Sequence, residues 1–230
     1  MTKENILFVI IGLLGGFMVG FFFANSVNQG SMAVAPAGMQ QGAGMPSGHP
    51  AVPGAGGGSV PEVQAAIDKA KQNPNDFEAQ MKAAELYYQI QRFDGAIEFL
   101  KKASELQPDN YEVVVNLGNS YFDAGKYEDA EKTYSRALAK KPDDVNVRAD
   151  LGLTFLFRDP PNYERAVKEL KGVLEKDPDH VQALQNLTVA YTKTSDKANA
   201  SASLARLEQV DAANTAIPKL REEIEKVVSK

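Results

Sequence analysis

The sequence predicts an all-α protein in which antiparallel helix pairs stack into a repeat array, preceded by one transmembrane helix and a disordered linker. Two observations carry this prediction. A segment with two amphipathic helices recurs at near-constant spacing between residues 77 and 214 of the 230-residue chain. In addition, Lys3 and Glu4 are the only charged residues before Glu62, so an uncharged leading part joins a charged, helical part.

The composition excludes several kinds of chemistry. The chain has no cysteine, which excludes disulfides, cysteine-ligated zinc or iron–sulfur sites and covalent haem attachment. Its formal charge of -5 disfavours nucleic acid as a partner, because nucleic-acid binding needs a dense cationic face. We therefore predict no cofactor, no metal and no nucleic-acid partner.

Residues 6–24 form an apolar run after a short amino-terminal segment, residues 1–5. As a helix, this run is about 28 Å long, close to the hydrocarbon thickness of a bilayer, about 30 Å. The alternative is a cleaved signal peptide, whose apolar core is usually only about 7 to 15 residues long. An uncleaved anchor fits the length better. Positive charge precedes the run at Lys3 and returns only at Lys69, which favours a cytoplasmic amino terminus and an extracytoplasmic repeat domain, in the periplasm if the protein is bacterial.

Three glycines, Gly12, Gly16 and Gly20, lie four residues apart within the apolar run. Such a stripe allows a second membrane helix to approach closely, which predicts a homodimer. Glycine is also common in membrane helices that do not associate, so both interpretations remain open.

Residues 25–61 are rich in Gly, Ala, Pro and Ser, carry no charge and show no apolar periodicity, which predicts a flexible linker. Met32, Met39, Met45 and His49 are of the types that bind Cu(I). Their irregular spacing favours a plain tether over a metal site.

Four copies of the repeated segment follow a short helix at residues 62–76, and a helix at residues 215–230 ends the chain. The copies span residues 77–110, 111–144, 145–180 and 181–214. The third copy is longer because Asp159 to Asn162 extends its central turn. The fourth departs from the pattern at Thr188, Lys197 and Ala212. The end helices are predicted caps; the alternative for the last one is that it fills a groove or pairs with another protomer.

Within each copy, small residues at fixed positions allow two helices to approach, and aromatic residues fill the space beside them. The positions that define the pattern are Tyr87, Ala96, Leu117, Gly118, Tyr121, Ala130, Ala137, Gly152, Ala166 and Tyr191. With Gly125 and Pro142 at the turns, this pattern resembles the tetratricopeptide repeat (TPR) family. The resemblance implies a right-handed superhelical solenoid with a concave groove.

In the resembled family the first helix of each unit lines the groove. Carried onto this chain, the groove residues are Met81, Glu85, Tyr88, Val115, Asn119, Phe122, Ala149, Leu153, Leu156, Phe157, Gln185 and Val189. The clamp that binds acidic chaperone tails in some TPR domains requires Lys and Arg, which Met81 and Asp150 replace here. The resemblance therefore implies a protein or peptide partner whose apolar side chains insert beside the aromatics while Asn119 and Gln185 bond its main chain.

No catalytic pattern appears in the sequence, so we predict no enzymatic activity. His180 lies at a turn between units without a neighbouring base, and no phosphate loop or nucleophile motif is present. The predicted function is a membrane-anchored scaffold for a polypeptide. Its layout is similar to that of bacterial inner-membrane assembly factors such as cytochrome c maturation chaperones. The alternative is a homo-oligomeric structural platform of the cell envelope.

Overall fold

The computed structural model of the protein describes residues 60–227, which fold into ten α-helices without a strand. The helices are α1 (Val60–Gln72), α2 (Phe77–Gln89), α3 (Phe93–Leu106), α4 (Tyr111–Asp123), α5 (Tyr127–Lys140), α6 (Val145–Phe157), α7 (Tyr163–Leu174), α8 (Val181–Lys193), α9 (Lys197–Val210) and α10 (Ile217–Glu225). The all-α prediction is confirmed for this part of the chain. None of these ten helices is long and apolar enough to cross a membrane. The predicted anchor at 6–24, its glycine stripe and most of the linker lie outside the described residues.

Side-chain caps mark where the first helix of each pair begins. Asp76, Asn110, Asp144 and His180 each accept a hydrogen bond from the backbone N–H three residues later, at 3.0 to 3.3 Å. These bonds satisfy N–H groups that have no partner inside the helix. The cap spacing of 34, 34 and 36 residues follows from these positions, so the repeat period is visible in the helix starts.

Glycines set the close approach of the two helices within a pair. A Cβ added at Gly118 would lie 2.6 Å from the ring of Tyr134, and one at Gly152 would lie 2.7 Å from Leu170. Tyr134 and Leu170 are almost fully buried, so neither has room to retreat. The structure therefore explains why a glycine occupies this position in α4 and in α6.

The pairs stack in chain order, and each helix contacts its neighbours in sequence. A continuous apolar core runs from Val63 in α1 to Ala166 in α7, and further clusters join α6 to α8 and α8 to α10. Among the first helices of the pairs, α6 and α8 approach each other more closely than α2 and α4 or α4 and α6 do. The array is thus tighter toward its carboxyl-terminal end.

The last helix packs on the last pair. α10 contacts α8 and α9 and buries Ile217, Leu220 and Ile224. It begins at Ile217, within the predicted range of residues 215–230, with Pro218 in its first turn. Pro is favoured there because the N–H it lacks would be unsatisfied anyway. The helix ends at Glu225, and Val228, which was predicted to belong to it, lies outside the described residues.

Candidate functional site

A cavity of about 270 Å³ lies between α2 and α4, which are the first helices of the first two pairs. It is lined by Phe77, Glu78, Met81, Lys82, Ala84, Glu85, Tyr88, Leu100, Asn110, Glu112, Asn116, Asn119 and Ser120. Four of the predicted groove residues, Met81, Glu85, Tyr88 and Asn119, are among them. The sequence-based interpretation therefore located this part of the surface.

Tyr88 connects α2 to α4 through a hydrogen bond at one side of the cavity. Its hydroxyl donates a hydrogen bond to the carboxylate of Asp123, and its ring meets the ring of Phe93 edge to face at 5.2 Å between centroids. Burial, together with the nearby Asp123 carboxylate, raises the pKa of Tyr88 well above its usual value. The hydroxyl therefore stays protonated and acts as a donor at physiological pH.

Asn119 contributes a buried amide to the cavity wall. The side chain is 2% exposed, and its Oδ1 accepts a hydrogen bond of 2.8 Å from the hydroxyl of Tyr134. Its Nδ2 is buried and has no hydrogen-bond partner among the residues that the structure describes. A buried donor without a partner costs about 1 to 3 kcal/mol, so this amide is suited to an acceptor supplied from outside.

An aromatic patch lies one unit further along, where α4, α5 and α6 meet. The ring centroid of Phe122 is 5.4 Å from that of Tyr127 and 5.9 Å from that of Phe157. These three side chains, together with the neighbouring Leu156, are half-buried. Phe122, Leu156 and Phe157 were predicted as groove residues. Tyr127 was not, although its position as the first residue of the helix facing Phe122 is a signal that could have identified it.

Four other predicted groove residues, from the second, third and fourth units, are buried. Val115 is 4% exposed, Ala149 0%, Leu153 3% and Gln185 6%, so they are not open contact surface in this structure. The reason lies in the packing between units. Ala149 and Ala183 are small, belong to one apolar cluster and let α6 and α8 close together. Val189, also predicted for the groove, is half-buried against the cluster that joins α8 to α10.

Negative charge is concentrated at the amino-terminal end of the array. Glu78, Glu85 and Glu112 all line the cavity between α2 and α4. Lys82 lies 3.2 Å from Glu85 and is the only cationic residue in the cavity lining. In α8, the residues at the unit positions of Glu78 and Glu85 are Gln182 and Val189, which carry no charge.

The described part of the chain contains no cluster of metal-binding side chains. No group of three or more metal-binding side chains occurs within residues 60–227. His180 caps α8 through Nδ1, while Nε2 lies 3.2 Å from Oδ1 of Asn146. Both ring nitrogens of His180 therefore contact groups of neighbouring or adjoining helices within the fold. Met32, Met39, Met45 and His49 lie outside the described residues.

Comparisons with known proteins agree with the repeat geometry. Two family models of the tetratricopeptide repeat match residues 59–111 and 91–151. A crystal structure of MamA superposes with a TM-score of 0.59 at 22% identity and covers 66% of this chain and 81% of that chain. MamA from Desulfovibrio magneticus RS-1 gives 0.61 at 15% identity, over 67% and 86% of the two chains. PilW, described as a widely conserved type IV pilus biogenesis factor, gives 0.59 at 18% identity over 72% and 78%. No curated protein sequence matches the chain.

Proposed function

We propose that this chain, a member of the tetratricopeptide-repeat family, is a non-catalytic scaffold that binds a polypeptide partner along the first helices of its pairs. The observation that carries the proposal is the cavity between α2 and α4, in which Asn119 presents a buried donor without a partner. The adjacent aromatic patch of Phe122, Tyr127 and Phe157 supplies an apolar contact. A polar anchor beside an apolar patch is typical of peptide recognition.

The spacing of the two features favours an extended ligand. The cavity lies between α2 and α4, and the aromatic patch lies between α4 and α6. One helix spacing, about 10 Å, therefore separates the centre of the cavity from the centre of the patch. An extended chain rises about 3.3 Å per residue, so about three residues span this step. A bound segment would therefore place one side chain in the cavity and an apolar side chain about three residues away against Phe122.

We propose further that residues 6–24 anchor the protein in a membrane and that the repeat domain lies on the extracytoplasmic side. The apolar run and the position of Lys3 support this arrangement. The layout favours a role in the assembly of envelope proteins. It is similar to that of anchored cytochrome c maturation chaperones.

Site-specific photo-crosslinking tests the binding surface. Benzoylphenylalanine is introduced in place of Phe122 in the full chain, and in place of the exposed Lys132 on α5 as a matched control. We expect a discrete polypeptide adduct from position 122 and none from position 132 after irradiation of intact cells. Equal adducts from both positions, or none from 122 at normal expression levels, would contradict the proposed groove.

Membrane extraction tests the anchor. The full chain should stay in the membrane pellet after alkaline carbonate treatment, whereas a variant lacking residues 6–24 should be released. Release of both proteins would refute the anchor and leave the binding surface to be judged by the crosslinks.

A homo-oligomeric envelope platform is the alternative function, and Gly12, Gly16 and Gly20 are the observation that favours it. Size measurement of the detergent-solubilised chain separates the two. An oligomer that Gly16→Ile converts to a monomer would support the platform, and a monomer in the unmodified chain would rule it out.

A further inference from the structure

We infer that the cavity between α2 and α4 selects a basic residue, lysine or arginine, of the bound polypeptide, whose main-chain carbonyl accepts a hydrogen bond from Nδ2 of Asn119. This inference rests on the proposed function, because it names which segment of a polypeptide the scaffold takes. It also reverses the charge preference of a clamp for acidic tails.

The carboxylates around the cavity exceed the cations. Glu78, Glu85 and Glu112 line it, and only Lys82 offsets them. Lys82 is engaged with Glu85 at 3.2 Å, so Glu78 and Glu112 at the rim lack an ion-pair partner within residues 60–227. A ligand ammonium or guanidinium group would supply the missing counter-charge.

Helix-dipole stabilisation does not account for all three carboxylates. Glu78 and Glu112 lie in the first turns of α2 and α4, where acidic residues are favoured. Glu85 lies in the second half of α2 and its side chain is only 13% exposed, so its desolvation is not offset in this way. Lys82 and the Nε2–H of Gln89 already partner Glu85, so the counter-charge that a ligand would supply is that of Glu78 and Glu112.

The Asn119 amide is an independent observation that points to a ligand. The hydrogen bond from Tyr134 identifies Oδ1 as the acceptor, which leaves Nδ2 as the donor without a partner. A carboxylate ligand would satisfy this donor but would meet the repulsion of the surrounding glutamates. A main-chain carbonyl satisfies it without added charge, which leaves the basic side chain to the carboxylates.

The volume and the walls fit a long cationic side chain. A cavity of about 270 Å³ has roughly nine times the volume of one water in the liquid, about 30 Å³. Ala84 and Leu100 are buried apolar residues of the lining, and Met81 is half-buried beside them. Such walls suit the methylene stem of Lys or Arg, while its charged end reaches the rim.

Fluorescence polarisation with four synthetic peptides tests the inference on the full chain. The peptides are alanine-rich decamers that carry Lys, Arg, Met or Glu at one central position and Leu three residues later. We expect the Lys and Arg peptides to bind at least tenfold more tightly than the Glu and Met peptides at low salt. Glu85→Gln and Glu112→Gln, alone and combined, should reduce this preference, whereas Glu164→Gln on α7 should not.

The remaining outcomes separate this inference from the proposed function. Binding of all four peptides with equal affinity, lost on Phe122→Glu, would overturn the basic selectivity and leave the polypeptide scaffold standing. Failure of every peptide to bind, together with no crosslink at position 122, would overturn both.

A spectroscopic readout keeps the test independent of folding defects. The side-chain amide resonance of Asn119 in the ¹⁵N-labelled full chain should shift on addition of the Lys peptide and remain unchanged with the Glu peptide. A preference for Lys without any shift at Asn119 would overturn the carbonyl contact.

Discussion

Replacement of Gly118 by alanine tests the close approach on which each helix pair depends. The added Cβ would lie 2.6 Å from Cε1 of Tyr134, whereas carbon atoms in contact are normally about 3.5 to 4.0 Å apart. Tyr134 is 1% exposed, so the ring must displace α5 or lose its bond to Asn119.

The magnitude follows from two opposing effects. Alanine favours the helix over glycine by about 1 kcal/mol. Forcing an extra carbon into a filled core costs about 1 to 3 kcal/mol, and the broken Tyr134 bond adds to this. We expect a net loss of about 1 to 2 kcal/mol, which would lower the urea midpoint, followed by circular dichroism at 222 nm, by roughly 0.5 to 1 M.

Gly172→Ala is the matched control. Its Cβ would meet Cδ of Arg148 at 3.4 Å and Nη1 at 4.0 Å, which are ordinary van der Waals distances. This variant should keep the helix-propensity gain and stabilise the full chain by up to about 1 kcal/mol. In a Tyr134→Ala background, Gly118→Ala should lose its penalty, because the two sites are coupled. Equal midpoints for the two glycine variants, or an unchanged penalty without the ring, would refute the reasoning.

Three further predictions concern buried polar groups. Tyr134→Phe should lower the free energy of unfolding by about 1 to 3 kcal/mol in urea titrations, because Oδ1 of Asn119 loses the donor that it has within residues 60–227; an unchanged midpoint would contradict this. Asp144→Ala should cost about 1 to 2 kcal/mol through the lost cap of α6 and the lost bond from Tyr111. The substitution Asp143→Ala at the exposed neighbour should leave the urea midpoint unchanged. Burial lowers the pKa of His180 below its usual value, although Asp177 and Asp150 act in the opposite direction. The folded state therefore favours the neutral ring, whose Nδ1 accepts a hydrogen bond from the N–H of Ala183. Its stabilising contribution is then complete above the unfolded pKa of about 6.5 and is lost as the pH falls below it. His180→Asn should reduce the change in melting temperature between about pH 7.5 and 5.5. An equally large change in the variant would contradict a role of the neutral His180 ring in stability.

The fold was predictable from the sequence because its main determinants are local and periodic. Asn110 and Asp144 start helices, Gly118 and Gly152 mark close approaches, and each recurs at the spacing of one unit. Such a pattern is readable without knowledge of distant contacts, since each unit contacts only its neighbours. The turn at Asp159 to Asn162 lengthens the third pair without changing the order of the helices.

The candidate site was less predictable, because exposure at the first helices depends on how closely successive units approach. The sequence indicates which face of α6 carries Ala149 and Leu153, but it does not state the distance to α8. The structure buries both residues. The unpartnered Nδ2 of Asn119 was equally hidden, because it depends on a hydrogen bond from Tyr134 on another helix.

One unit position connects the packing of the array to its chemistry. It is occupied by Glu85 in α2, Asn119 in α4, Leu153 in α6 and Val189 in α8. The first two line the open cavity, and Leu153 lies in the closed region near α8. An open cavity tolerates carboxylates in its walls because water or a ligand can satisfy them, whereas a closed helix contact with an unpaired carboxylate would be strongly destabilised. The residue at this position therefore changes from polar to apolar where the first helices of successive pairs approach each other more closely. This change confines a charged ligand to the amino-terminal end.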